Sequence, residues 1–146
     1  MKISRDFREF VACANARNVR FLIVGGYAVA FYGHPRYTKD LDVWVKPTKD
    51  NGQRILEALE DFGFGSLELH ADDFTDPDQV VQLGRPPMRI DLLTGVSGLE
   101  FDECYPSREV IEIQDVEFPF IGLQELKQNK RASGRHQDLA DLEKLD

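Results

Sequence analysis

The sequence predicts a mixed α/β domain, a sheet with helices at both ends, and three observations lead there. Short apolar runs bounded by turn residues recur through the chain, helical periodicity occupies both ends, and glycines stand where helices must stop. In order, "SRDFREFVACANAR" (residues 4–17) places Phe7, Phe10, Val11 and Ala14 on one helical face behind a Ser4 cap. "RFLIVGG" is a short buried strand ending at Gly25, and "YAVAFYG" is a two-turn helix stopped by Gly33. After the loop "HPRYTK" comes the strand "DLDVWVK". Thr48 then caps a helix carrying Ile55, Leu56, Leu59 and Phe62, with Gly63 as its stop.

The middle of the chain is less regular. "DDFTDPD" reads as loop, while "QVVQLG" and "MRIDLLT" read as strands. "EVIEI" and "VEFPFI" are two further strands about Gln114 and Asp115, and Pro119 confines the second to the sheet edge or to a strand end. The tail reads as two helices broken near Ser133 and Gly134, with Leu139, Leu142 and Leu145 as a packing stripe. With no repeat, low-complexity segment or linker, residues 1–146 are expected to form a single domain.

Composition excludes several classes. The 146 residues, 42% hydrophobic and 30% charged, suffice for one core. A net charge of −8 argues against nonspecific binding of nucleic acid through phosphate neutralisation, although a local basic patch could still serve. Cys13 and Cys104 make no disulfide framework, and no Cys/His cluster has metal-binding spacing. No apolar run reaches membrane-spanning length and the N-terminus lacks the apolar core of a signal peptide, so a cytoplasmic protein with no membrane partner is expected.

Two aspartates inside an apolar strand demand a reason, because a buried charge needs a counter-ion or a task. Residues i and i+2 of a strand share a face, so Asp40 and Asp42 stand side by side while Leu41 and Val43 enter the core. A divalent cation relieves their repulsion, and oxygen ligands of this kind suit Mg²⁺ completed by substrate phosphates. Asp91 in "MRIDLLTG" also interrupts an apolar strand; an adjacent antiparallel strand would bring it against the pair as ligand and general base. The Gly25-Gly26 turn into a helix leaves backbone N–H groups free for phosphate.

With both spacings in place, "VGGYAVAFYGHPRYTKDLDV" resembles the signature of the DNA polymerase β-like nucleotidyltransferase superfamily. The closer likeness is to the small bacterial and archaeal branch near the abortive-infection type toxins, carried by Arg36, Thr38, Asp40 and Asp42. A tail of Lys130, Gly134, Arg135, Asp138, Leu139, Asp141 and Leu142 is also similar to that branch. The resemblance implies a nucleotidyltransferase-like mixed, mostly antiparallel sheet flanked by helices. It implies a Mg²⁺-dependent enzyme, with two ions possible and Mn²⁺ able to substitute, that transfers a nucleotidyl group from a nucleoside triphosphate to an acceptor hydroxyl. By carry-over Asp40, Asp42 and Asp91 are catalytic and bind metal; Gly25, Gly26, Arg36, Thr38 and Lys130 bind the nucleotide. Asp138 is left with either a catalytic role or that of orienting Lys130. The acceptor stays open among tRNA, protein and a small molecule, and the acidic charge leans toward a cation or a protein. A toxin would bring a cognate antitoxin, and an acceptor site could come from a partner or a second copy as a homodimer. Gln137 departs from the basic residue that many relatives carry there.

From a different class, the chain could be a non-catalytic nucleotide-binding or partner-binding regulatory module. Tyr27, Phe31 and Tyr32 are assigned to core packing rather than base stacking, and His34 and His136 to loop and cap positions.

Overall fold

The computed structural model describes residues 3–33, 39–65, 67–85 and 88–145. Helix α1 (Arg5–Ala16) starts where the Ser4 hydroxyl accepts from the Phe7 N–H at 3.2 Å, and it buries Phe7, Phe10, Val11 and Ala14. Strand β1 (Phe21–Val24) is buried throughout and runs directly into α2 (Gly25–Phe31). Strand β2 (Asp40–Val45) follows, with Leu41 and Val43 fully enclosed on the face opposite the aspartates. Thr48 caps α3 (Lys49–Phe62) by accepting from the Asn51 N–H at 3.3 Å, and Gly63 ends it at φ +100°. The remaining elements are β3 (Val80–Arg85), β4 (Met88–Leu93), α4 (Phe101–Cys104), β5 (Glu109–Ile113), β6 (Val116–Phe120), α5 (Leu123–Ser133) and α6 (His136–Leu145).

The six strands form one sheet in the order β3-β4-β2-β1-β6-β5. The pairs β1/β2, β3/β4 and β5/β6 are antiparallel; β1/β6 and β2/β4 are parallel. The strand that carries Asp91 therefore lies parallel to β2, not antiparallel as the sequence suggested. The reason is topological: the hairpin partner β3 takes the outer position, and β4 re-enters the sheet beside β2 in the same direction. Of the two places expected for Pro119, the sheet edge or a strand end, it takes the second: β6 is an interior strand and β5 the edge, and the proline stands near the end of β6, one residue before Phe120. At the β5/β6 turn Gln114 and Asp115 have φ of 50° and 68°, the paired left-handed residues of a two-residue hairpin, and Arg8 Nε donates to Gln114 O at 2.8 Å.

Aromatic packing joins the layers as expected. Tyr27 meets Phe7 edge-to-face at 5.6 Å, Phe31 stacks on Phe120 at 4.3 Å, and the Tyr32 hydroxyl donates to Ile121 O at 2.7 Å. Two segments are more ordered than the sequence suggested. Overlapping the start of "DDFTDPD", a 3₁₀ turn (Ala71–Phe74) buries Phe74 completely against the core, and it comes so near α3 that a Cβ at Gly52 would lie 2.6 Å from Ala71 O. Beyond β4, the short helix α4 and a second 3₁₀ turn (Tyr105–Ser107) bury Phe101 and Cys104.

Asn51 ties this frame together. It is 2% exposed; its Oδ1 accepts from Arg20 N at 2.8 Å, while Nδ2 donates to Arg20 O at 3.0 Å and Lys46 O at 3.1 Å. One amide thus joins the start of β1, the end of β2 and the first turn of α3. Asn51→Ala leaves buried backbone groups unpaired and is expected to cost about 2–3 kcal/mol, read as a lowered denaturant midpoint with an unchanged m-value.

Candidate active site

Asp40 and Asp42 alternate with buried Leu41 and Val43, so both carboxylates emerge on one face of β2. The parallel register then sets Asp42 directly opposite Asp91 and Asp40 opposite Arg89. Arg89 and Asp91 are themselves two apart on β4, so four charged groups gather on one face of two neighbouring strands. The Arg89 Nη2 donates to Asp40 Oδ2 at 3.0 Å, and Nε lies 3.4 Å from Asp91 Oδ1 without hydrogen-bond geometry. One guanidinium thus serves two carboxylates and leaves Asp42 to its neighbours.

The electrostatics follow from that arrangement. Burial pushes the Asp42 carboxyl up to about 6, the Asp91 and Asp40 charges push the same way, and Lys130 and Arg89 pull against them. Burial also raises Asp91, with Arg89 opposing. Asp91 Oδ1 is buried without a hydrogen-bond partner among the described residues. Among those residues no three His, Cys, Asp or Glu side chains form a ready cage for a metal, and Arg89 stands with Asp40 and Asp91. The donor set nevertheless suits a hard cation whose shell is completed by phosphate oxygens, and the Asp91 oxygen that lacks a hydrogen bond and the Asp42 charge are what such a cation would relieve.

A cleft of about 430 Å³ opens at Asp42 and is lined also by Gly25, Lys130, Ser133, Arg135 and Asp138; Asp40 and Asp91 stand beside Asp42 rather than in its wall. Gly25 has φ +68°, and a Cβ there would collide with the Asp42 carboxyl group, so only glycine fits. Gly26 is buried within α2 and does not line the cleft. Arg36 and Thr38 lie outside the described residues.

At the α5/α6 corner the tail residues form a buried ionic knot. Gly134 closes α5 at φ +65°, which returns the chain so that α6 packs on α5. Lys130, only 5% exposed, has its Nζ 3.2 Å from Asp138 Oδ1 and 3.4 Å from Asp141 Oδ2. Asp138 also accepts from Ser133 Oγ at 2.6 Å and Arg135 Nε at 2.8 Å, and Gln137 Nε2 donates to Asp141 at 2.9 Å. Burial alone would raise Asp138, but the bonds from Ser133, Arg135 and Lys130 overcome it and hold the carboxyl down at about 2. Here the expected leucine stripe is corrected at one position: Leu145 is buried and Leu142 half-buried as expected, but Leu139 is 49% exposed and Asp138 and Asp141 are buried in its stead. The helix turns its acids inward because Lys130 awaits them there.

Two participants, Arg89 and Ser133, were given no role by the sequence reading, and Arg135 was named there only within the tail motif. Arg89 was legible in principle as the residue two before Asp91, hence on its face. Ser133, at the break between α5 and α6, was visible only as a turn residue until the helices were seen to fold back.

No protein-family model and no curated protein sequence matches the chain. Among solved structures, it is similar to a putative nucleotidyltransferase from Thermotoga maritima, with 15% identity and a TM-score of 0.65 over 96% of this chain and 89% of the other. It is also similar to an antigenic nucleotidyltransferase-like protein from Paracoccidioides brasiliensis, with 15% identity and a TM-score of 0.51 over 98% of this chain and 77% of the other. Strand order, the acidic strand pair and these likenesses converge on one statement: the chain has the nucleotidyltransferase-like fold.

Proposed function

We propose that the protein transfers a nucleotidyl group from a nucleoside triphosphate to an acceptor hydroxyl. The observation that carries this is the β2/β4 register, which brings Asp91 against the Asp40/Asp42 pair at the mouth of a cleft containing Gly25 and Lys130. Asp40, Asp42 and Asp91 are the residues that would hold Mg²⁺, which supplies charge neutralisation at the phosphates when bound. Gly25 gives the phosphates room beside Asp42, and Lys130, fixed by Asp138 and Asp141, presents a cation to the same cleft. In the reaction the acceptor oxygen bonds to the α-phosphorus and the α–β anhydride bond breaks. Pyrophosphate leaves, and the hydroxyl proton passes to a carboxylate, for which Asp91 with its raised proton affinity is suited.

The test is transfer of α-labelled nucleoside triphosphates, each in turn, to extract containing RNA and protein in the presence of Mg²⁺. Label in a defined product is expected from the parent and not from Asp40→Ala; equal labelling by both would overturn the assignment. One observation favours a second reading, a nucleotide-binding module without turnover. Arg89 already neutralises part of the acidic cluster, so the carboxylates do not by themselves require a metal for their retention. Nucleotide-dependent stabilisation without any labelled product would favour that module.

A further inference from the structure

We infer that two adjoining clefts at the far end of the β1/β2 pair bind a compact anion carrying two or more linked phosphates, at a site separate from the acidic cluster. Arg20 immediately precedes β1, Lys46 immediately follows β2, and the antiparallel register sets Phe21 against Val45, so both cations stand at one end of the strand pair. Gly25 and Asp42 hold the other end, which at about 3.3 Å per residue is roughly 17 Å from Arg20. One cleft measures about 620 Å³ and is lined by Arg20, Arg54 and Arg108 around Tyr105; the other measures about 480 Å³ and holds Arg20, Arg54, Lys46 and Lys49. Both volumes suit small ligands. The two clefts share Arg20 and Arg54, and neither shares a lining residue with the cleft at Asp42.

The arginines are held by neutral groups. The Arg108 guanidinium lies 3.9 Å from the centre of the Tyr105 ring, and its Nη1 donates to Tyr105 O at 2.9 Å. Arg20 approaches the same ring at 5.9 Å, and Arg54 Nη1 donates to Asn18 O at 3.3 Å. Among the described residues none of the three has a carboxylate within ion-pair distance, although the chain carries 26 acidic residues against 18 lysines and arginines. Arg17 shows the alternative, since Glu57 and Asp61 claim it. Neutral partners fix the direction of a guanidinium and leave its charge uncompensated, the state in which it takes phosphate through paired N–H donors. Glu117 is the single acid lining the first cleft and Asp50 the single acid lining the second, where Lys46 pairs with Asp102 at 3.2 Å. One phosphate in each cleft, with Arg20 and Arg54 between them, matches this distribution. The net charge of −8 limits the ligand's length, because a polynucleotide extending beyond the clefts meets a predominantly acidic surface.

The parent protein, in metal-free buffer, is titrated by calorimetry with inorganic tripolyphosphate, inorganic phosphate, adenosine triphosphate and a short single-stranded RNA. Tripolyphosphate is expected to bind saturably, more tightly than phosphate or RNA, and to weaken as salt rises. Arg20→Gln with Arg54→Gln, both exposed positions common to the two clefts, should weaken it by about tenfold or more. Arg108→Gln should weaken it as well, and Asp42→Asn, in the other cleft, should not. Adenosine triphosphate held more tightly than tripolyphosphate through the same arginines names a nucleotide as the source of the phosphates; equal or weaker binding names the free phosphate chain, and either upholds the site. Tripolyphosphate that fails to bind, or binds unaltered in the double variant, overturns the inference. RNA bound more tightly than tripolyphosphate through these arginines overturns it too. The readout is binding alone, so labelling by the protein, present or absent, leaves the result unchanged.

Discussion

Asp42→Asn is expected to abolish transfer and, without divalent cations, to melt higher than the parent. Its carboxyl is raised from the ordinary 3.8 to about 6, first by burial and then by Asp91 and Asp40. A carboxylate whose folded value exceeds its unfolded one favours the native state in its protonated form. Its contribution is intact below the unfolded value and is lost as pH rises through about 6. At neutral pH the parent therefore carries a charge penalty that the amide lacks, and relief of about 1–2 kcal/mol is expected after allowance for solvent relaxation. Denaturant midpoints across this range should fall with pH in the parent and fall less in the variant. Loss of activity combined with a gain in stability separates a working carboxylate from a structural one.

Asp138→Ala should act in the opposite sense and lose much of the fold's stability. The side chain accepts from Ser133, Arg135 and Lys130, and its removal leaves Lys130, 5% exposed, with Asp141 as its ion-pair partner among the described residues. Breaking one side of a buried ion pair costs about 3–5 kcal/mol, which for a chain of this size lowers the melting temperature by on the order of 10 °C. Because Asp138 is held near 2, its support is present above the ordinary 3.8 and disappears only as pH falls through about 2. Transfer should fall as well, since Lys130 loses the partner that fixes it in the cleft. Leu139→Ala, at an exposed neighbour on the same helix, serves as the control and should move the melting temperature little.

That control marks where sequence reading failed. Leucines at helical spacing usually face the core, yet α6 turns Asp138 and Asp141 inward because a lysine on α5 supplies their counter-charge. Periodicity alone does not reveal a buried ionic partner on another helix. Local signals fared better: Ser4, Thr48, Gly63 and Gly134 cap their helices as read, and the Asp40/Asp42 alternation with Leu41 and Val43 appears in the strand. The direction of β4 was not legible, since it depends on which strand β3 leaves open after the long connection through α3. That Asp91 faces the pair was legible; that Arg89 comes with it follows from the same two-residue period and needed only to be asked.

The most direct test is the melting temperature of the parent and of Asp42→Asn, measured with and without Mg²⁺ plus each nucleoside triphosphate in turn. Without additions the variant should be the more stable. With Mg²⁺ and the preferred nucleotide the parent should gain and the variant should not, reversing their order. A variant that gains as much as the parent would place the nucleotide elsewhere and contradict the assignment of Asp40, Asp42 and Asp91 to this site.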